Sequence, residues 1–175
     1  MVYQHILVSG IFEQIQATAF SNLFCVDLEH NEQGPGVCGD FICSGTSVGD
    51  KSNRFALETA LDFSILGRKV EFKHDKAAER TGRLFLEYEQ TSDDWQTKKK
   101  SGHEKSILEG NILVITTQGE CFVFNKLSYN ALVARTLYKR TTTHRKNGNR
   151  PESYTQGRLV SVSAARECAS YVYQM

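Results

Sequence analysis

The chain has no run approaching the roughly 20 consecutive apolar residues that a membrane-crossing helix needs, so it is not expected to contact a membrane. Met1 to Val8 lack the basic start and long apolar stretch of a secretory signal, so a cytoplasmic protein is expected. Cysteine is sparse: the five, at 25, 38, 43, 121 and 168, are odd in number and include no Cys-x-x-Cys pair. That argues against a disulfide framework. Cys38 and Cys43 have no matching histidine pair downstream, which argues against a zinc site. Reduced, partly buried thiols are expected. Net charge is also nearly absent, 21 Lys and Arg standing against 20 Asp and Glu. The charge is unevenly spread, however. Arg135 to Arg150 contains no acid, Lys98, Lys99 and Lys100 form a second basic cluster, and acids gather between Asp27 and Asp40 and around Asp62 to Glu71. Segregation of this kind suits a protein that grips phosphates on one surface.

What is present is enough chain, 175 residues, for one domain with a real core, and no repeat, low-complexity tract or linker divides it. A helix is predicted over 11–24, with Ile11, Ile15, Ala19 and Leu23 as its apolar stripe and Phe12 and Phe20 flanking it. The Gly-, Asn- and Asp-rich segment 27–51 reads as a long loop with a short strand at Phe41 to Cys43. Residues 54–65 read as a helix entering a strand or as one long strand; Phe55, Leu57, Thr59, Leu61, Phe63 and Ile65 alternate with polar or small residues, which favours the strand. Strands are also predicted at 84–89, 112–115, 121–124 and 159–162. Helices are predicted at 127–140, capped by Asn125 or Ser128, and at 164–173, with a polar loop over 141–156.

The segment Asp62 to Lys73 carries the chemistry. Phe63 and Ile65 alternate with Asp62 and Ser64; Val70 and Phe72 alternate with Glu71 and Lys73. Two strands around a Leu66-Gly67 turn would set Asp62 directly across from Glu71, with Lys73 on the same face. The same register would set Glu58 across from Asp75. Two carboxylates and an ammonium at one spot are costly to bury and serve no packing purpose, so they point to a divalent cation. Carboxylate oxygens suit Mg²⁺ or Mn²⁺. A lysine beside such a cation would help activate water or steady a phosphorane-like transition state, which points to phosphodiester hydrolysis.

Asp62, then Glu71-Phe72-Lys73, then Asp75, Thr81-Gly82 and a strand with Glu87-Tyr88 resemble the active-site region of the PD-(D/E)xK nuclease superfamily, in its phage and restriction-like branch. Leu61 stands where the name-giving proline would be, and Arg83 where asparagine usually follows Thr-Gly. The resemblance implies a single α/β domain of restriction-endonuclease-like fold, a mixed central sheet flanked by helices. Its core would span about residues 54–163, preceded by an N-terminal helix and long loop over 1–53. It further implies a Mg²⁺- or Mn²⁺-dependent DNA endonuclease with Asp62 and Glu71 as cation ligands, the Phe72 carbonyl assisting, and Lys73 at the water. A homodimer is implied, because cutting both strands takes two sites, and so is a phage or mobile-element origin.

Glu58 and Glu87 are candidates for an additional acid, with Glu13 behind them and Asp75 as a supporting residue. His74 falls on the Val70/Phe72 face; His103 and His144 fall in predicted loops among basic residues. Lys98, Lys99, Lys100, Arg135, Lys139, Arg140, Arg145, Lys146 and Arg150 are the candidate nucleic-acid contacts, with Trp95 and Tyr154 available to stack on bases. Two other readings stand beside the nuclease: a non-catalytic nucleic-acid-binding protein on a degenerate nuclease fold, and an RNA-processing enzyme with the same site.

Overall fold

The structure, a computed structural model, describes residues 2–31, 40–91, 97–144 and 153–175. The chain opens with the long helix α1 (Val2–Phe24), followed by β1 (Val26–His30), β2 (Asp40–Thr46), α2 (Ser52–Leu61) and β3 (Lys69–His74). The middle of the chain forms α3 (Lys76–Thr81), β4 (Arg83–Thr91), β5 (Lys98–Lys100), α4 (Gly102–Leu108), β6 (Ile112–Thr117) and β7 (Glu120–Phe124). It closes with α5 (Lys126–Val133), β8 (Tyr138–His144), β9 (Ser153–Ser161), α6 (Val162–Cys168) and β10 (Tyr171–Gln174).

The strands form two sheets in one α/β domain. A six-stranded mixed sheet runs β1-β2-β3-β6-β7-β10, and a four-stranded sheet runs β5-β4-β9-β8. Pairing is antiparallel throughout, except that β3 and β6 run parallel. The six-stranded sheet is covered on both faces, so every residue of β6 is buried, as such a strand requires. Val70, Phe72, Ile112 and Val114 face a core built with Phe20 and Phe24 of α1 and Leu57 and Leu61 of α2. Leu113, Ile115, Phe122 and Phe124 face a second core with Leu84, Leu86 and Val160 of the smaller sheet and residues of α4, α5 and α6. No helix among the described residues is long and apolar enough to cross a membrane.

Several expectations are corrected. Residues 54–61 are helix, not strand: Leu57 and Leu61 are one turn apart and both buried, while Phe55 is exposed. The Leu66-Gly67 turn is real, with Gly67 at φ 79°, but it joins α2 to β3. In α1 the buried face is Gln16, Ala17, Phe20 and Phe24; Ile11 and Ile15 are exposed, because the two rings bury more area than the aliphatic stripe. Segment 27–51 is less of a loop than expected: it holds most of β1, and the short strand expected at Phe41 to Cys43 lies within the longer β2. Finally, the helix predicted to reach residue 140 stops at Val133, and β8, rich in Thr and aromatic-flanked, pairs with β9 across residues predicted as loop. The last predicted helix likewise ends at Cys168 and gives way to β10. Asn125 caps α5 as expected, with Ser128 completing a capping box.

Candidate functional site

In the middle of the six-stranded sheet, Glu71 is flanked on one side by Asp40 of β2 and on the other by Leu113 of β6. Both ladder positions beside Glu71 are therefore taken, and Asp62 cannot lie across from it. Asp62 sits instead as the left-handed C-cap of α2, at φ 64°, exposed, its N–H bonded to the Glu58 carbonyl. Glu58 is also elsewhere: its Oε2 accepts from the Ile65 N–H at 3.2 Å and its Oε1 lies 3.6 Å from Arg54, so it braces the turn after α2. The Asp75 N–H pairs with the Thr116 carbonyl of β6, not with a residue near Glu58. The acid that the fold places opposite Glu71 is Asp40.

Glu71 and Lys73 share the face of β3 that looks toward the smaller sheet. The Lys73 ammonium donates to the Phe85 carbonyl, and the ring of Phe85 lies 5.9 Å from it. Asp75 completes the grip: Oδ2 accepts from the Phe85 N–H at 2.9 Å and Oδ1 accepts from Ala78 N–H at 3.1 Å, capping α3. The Phe85 carbonyl and N–H, opposite Leu159 in the β4–β9 register, are both engaged by these side chains. Side chains from β3 and its end satisfy them, as buried backbone groups demand. Burial lowers the Lys73 pKa below the usual lysine range, and the nearby carboxylates of Glu87, Asp75 and Glu71 oppose that shift. The backbone of Lys73 is held as well, its carbonyl accepting from the Gln16 amide at 3.3 Å.

Helix α4 delivers a residue that spacing within the motif does not reveal. Ser101 caps it, its N–H bonding the Tyr88 carbonyl at 3.1 Å and its hydroxyl donating to the Glu87 carbonyl. The start of α4 is thus fastened to β4, and His103 enters between the two sheets. Its Nδ1 lies 3.2 Å from Glu71 Oε1, and its Nε2 lies 3.7 Å from Glu87 Oε2. The three side chains are mostly buried, with exposures of 15% for His103, 14% for Glu71 and 28% for Glu87. Glu87 therefore lies beside Glu71 through His103.

A second polar group adjoins the first. Glu104 accepts from the Tyr129 hydroxyl at 2.7 Å and lies 3.4 Å from Arg158, whose guanidinium stacks 4.3 Å from the Tyr88 ring. Burial, then the hydrogen bond to Glu104, pushes the Tyr129 hydroxyl above its ordinary range.

The other predicted residues are dispersed. Lys98, Lys99 and Lys100 are exposed on the edge strand β5, Lys98 lying 3.9 Å from Glu89. Lys139 and Arg140 are exposed on β8, and Lys139 approaches the Tyr88 ring at 5.7 Å. Arg135 is paired with Glu167. His74 stacks on Phe12 at 3.9 Å, on the α1 side of the sheet, which makes it a packing residue. Glu13 is half-buried on α1, Tyr154 is half-buried on β9, and His144 ends β8. Cys38, Trp95, Arg145, Lys146 and Arg150 lie outside the described residues. Cys25, Cys43, Cys121 and Cys168 are free thiols, as expected, and burial raises the pKa of Cys43 and Cys121.

No protein-family model, no curated protein and no solved structure matches this chain. Its chemistry is therefore read from the site alone. Among the described residues no three His, Cys, Asp or Glu side chains are already gathered around one point as metal ligands. Asp40 was not singled out from the sequence, and His103 was named only as a histidine among basic residues, not as a neighbour of Glu71. Asp40 stood at the end of an acidic loop, and its one signal was the apolar Phe41 to Cys43 behind it. His103 stood in a predicted loop without periodicity.

Proposed function

We propose that this protein is a divalent-cation-dependent DNA endonuclease that hydrolyses phosphodiester bonds, with Asp40, Glu71 and Lys73 as its working residues. The observation that carries the reading is the meeting on β3 of Glu71, opposed in register by Asp40, with a lysine two residues on whose proton affinity burial has lowered. A lysine perturbed by burial and by specific carboxylate neighbours is a candidate functional residue. The mixed sheet, with its single parallel step at β3–β6, supports the restriction-endonuclease-like arrangement that the sequence resemblance implies.

The residues fit a hard cation. Glu71 offers carboxylate oxygens, the donors that Mg²⁺ and Mn²⁺ prefer, and is already oriented by an imidazole, as ligating carboxylates commonly are, while Asp40 stands opposite it in the ladder register. When bound, the cation supplies positive charge against the phosphoryl oxygens and makes water more acidic. The chain supplies the rest. Lys73 Nζ, anchored on the Phe85 carbonyl, holds a proton it gives up more readily than an exposed lysine, beside the carboxylate of Glu71. The exposed lysines of β5 and the exposed Lys139 and Arg140 of β8 offer sequence-independent contacts to the DNA backbone. Cleavage of both strands calls for two such sites, and a homodimer provides them.

Metal-dependent cutting of supercoiled plasmid and of a four-way junction tests the reading, with Glu71→Ala and Lys73→Met as controls. One observation favours a second reading, a non-catalytic nucleic-acid-binding protein: Lys73 and Asp75 together hold both peptide groups of Phe85, a structural use sufficient to retain them. That reading expects DNA binding that persists unchanged in chelator and no cutting of plasmid, junction or RNA.

A further inference from the structure

Glu71 is the carboxylate on which the proposed site turns, and a carboxylate free to rotate makes a poor ligand. The only hydrogen bond found for its side chain among the described residues is that of Oε1 with His103 Nδ1, at 3.2 Å. The ring is itself constrained from two directions. The Ser101 cap pins the start of α4 to β4, and Glu87 stands 3.7 Å from Nε2 on the far side. Nε2 is buried and has no hydrogen-bond partner, which a purely structural histidine would be expected to find. We propose that His103 is a positioning residue of the site: it fixes the Glu71 carboxylate through Nδ1, so that the cation meets a ligand already oriented. The proposal rests on the reading of Glu71 as a cation ligand.

The geometry separates the two ring nitrogens experimentally. Asparagine at 103 places an amide nitrogen near the position of Nδ1, and glutamine reaches instead toward Nε2. Mn²⁺ alone is the probe, its binding followed by titration calorimetry on the full chain, with thermal unfolding of each variant recorded alongside. Loss of a partner that orients a metal ligand weakens affinity by about 10- to 100-fold. His103→Ala and His103→Gln are expected to lose Mn²⁺ affinity on that scale, whereas His103→Asn keeps it to within about threefold, being the variant that retains the oriented bond.

Equal affinity in wild type and His103→Ala overturns the proposal, as does equal loss in His103→Asn and His103→Gln at matched unfolding temperature. If Glu71→Gln binds Mn²⁺ as wild type does, the site reading itself fails and the proposal with it. If Glu71→Gln loses Mn²⁺ while all three His103 variants keep it, only the proposal fails.

Discussion

Asp40 stands directly across the antiparallel ladder from Glu71, in the central region of the six-stranded sheet. Like charges so opposed cost stability, about 0.2–1 kcal/mol on the scale of cross-strand pairs. A sheet that keeps two acids there is expected to gain when a cation joins them. Asp40→Asn should therefore be more stable than wild type by about that amount in chelator, and should gain nothing when Mg²⁺ or Mn²⁺ is added. Urea unfolding with and without the cation measures both. Equal cation responses in the two proteins would contradict the pairing as a ligand site.

Lys73 makes a prediction about pH. Its pKa is lowered in the folded protein below the value of 10.5 that it has in the unfolded chain. Between those two values the unfolded chain binds the extra proton, so the lysine's contribution to stability rises with pH across that window. It is least favourable below the folded pKa. Lys73→Met removes this dependence and leaves the other titrations in place. The stability of wild type relative to Lys73→Met should then climb as pH rises toward 10.5. Denaturant unfolding at several pH values checks it, and parallel curves would contradict it.

Gly157 fixes how Phe85 lies on the smaller sheet. A Cβ at residue 157 would stand 2.2 Å from one ring carbon of Phe85 and 2.3 Å from another. Gly157→Ala must push the ring aside. Overpacking of this sort costs about 1–3 kcal/mol. Chemical denaturation should show that loss, and a stability within experimental error of wild type would mean that the ring moves freely.

The register of α1 can be tested with one pair of substitutions. Phe20 has 0% exposure and Ile15 has 48%. Phe20→Ala should cost about 3–5 kcal/mol, the range for a large aromatic removed from a core, whereas Ile15→Ala should stay within about 0.5 kcal/mol of wild type. Comparable losses at both positions would restore the apolar stripe that the sequence suggests.

That stripe shows where sequence reading runs out. Strands β4, β6 and β7 were legible, because their apolar residues form compact runs bounded by turns. Helix α2 was misread for a physical reason: a period-two series through Phe55, Leu57, Thr59 and Leu61 also contains Leu57 and Leu61 at helical spacing. Periodicity alone does not choose between them. Glu71 and Lys73 were legible because their relationship is local to one strand. The acid opposite Glu71 was not. Ladder partners are chosen by tertiary pairing, and β2 came in beside β3 where a hairpin from Asp62 had been expected. His103 reached the site through the same kind of long-range docking, the Ser101 cap on β4.

The most direct measurement is cleavage of supercoiled plasmid and of a four-way junction in Mg²⁺ or Mn²⁺, comparing wild type with Asp40→Asn, Asp62→Asn, Glu71→Ala and Lys73→Met. The account predicts cation-dependent cutting that is lost in the Asp40, Glu71 and Lys73 variants and retained in Asp62→Asn. Cutting that survives Glu71→Ala and Asp40→Asn, or DNA binding with no cutting of any substrate, would contradict it.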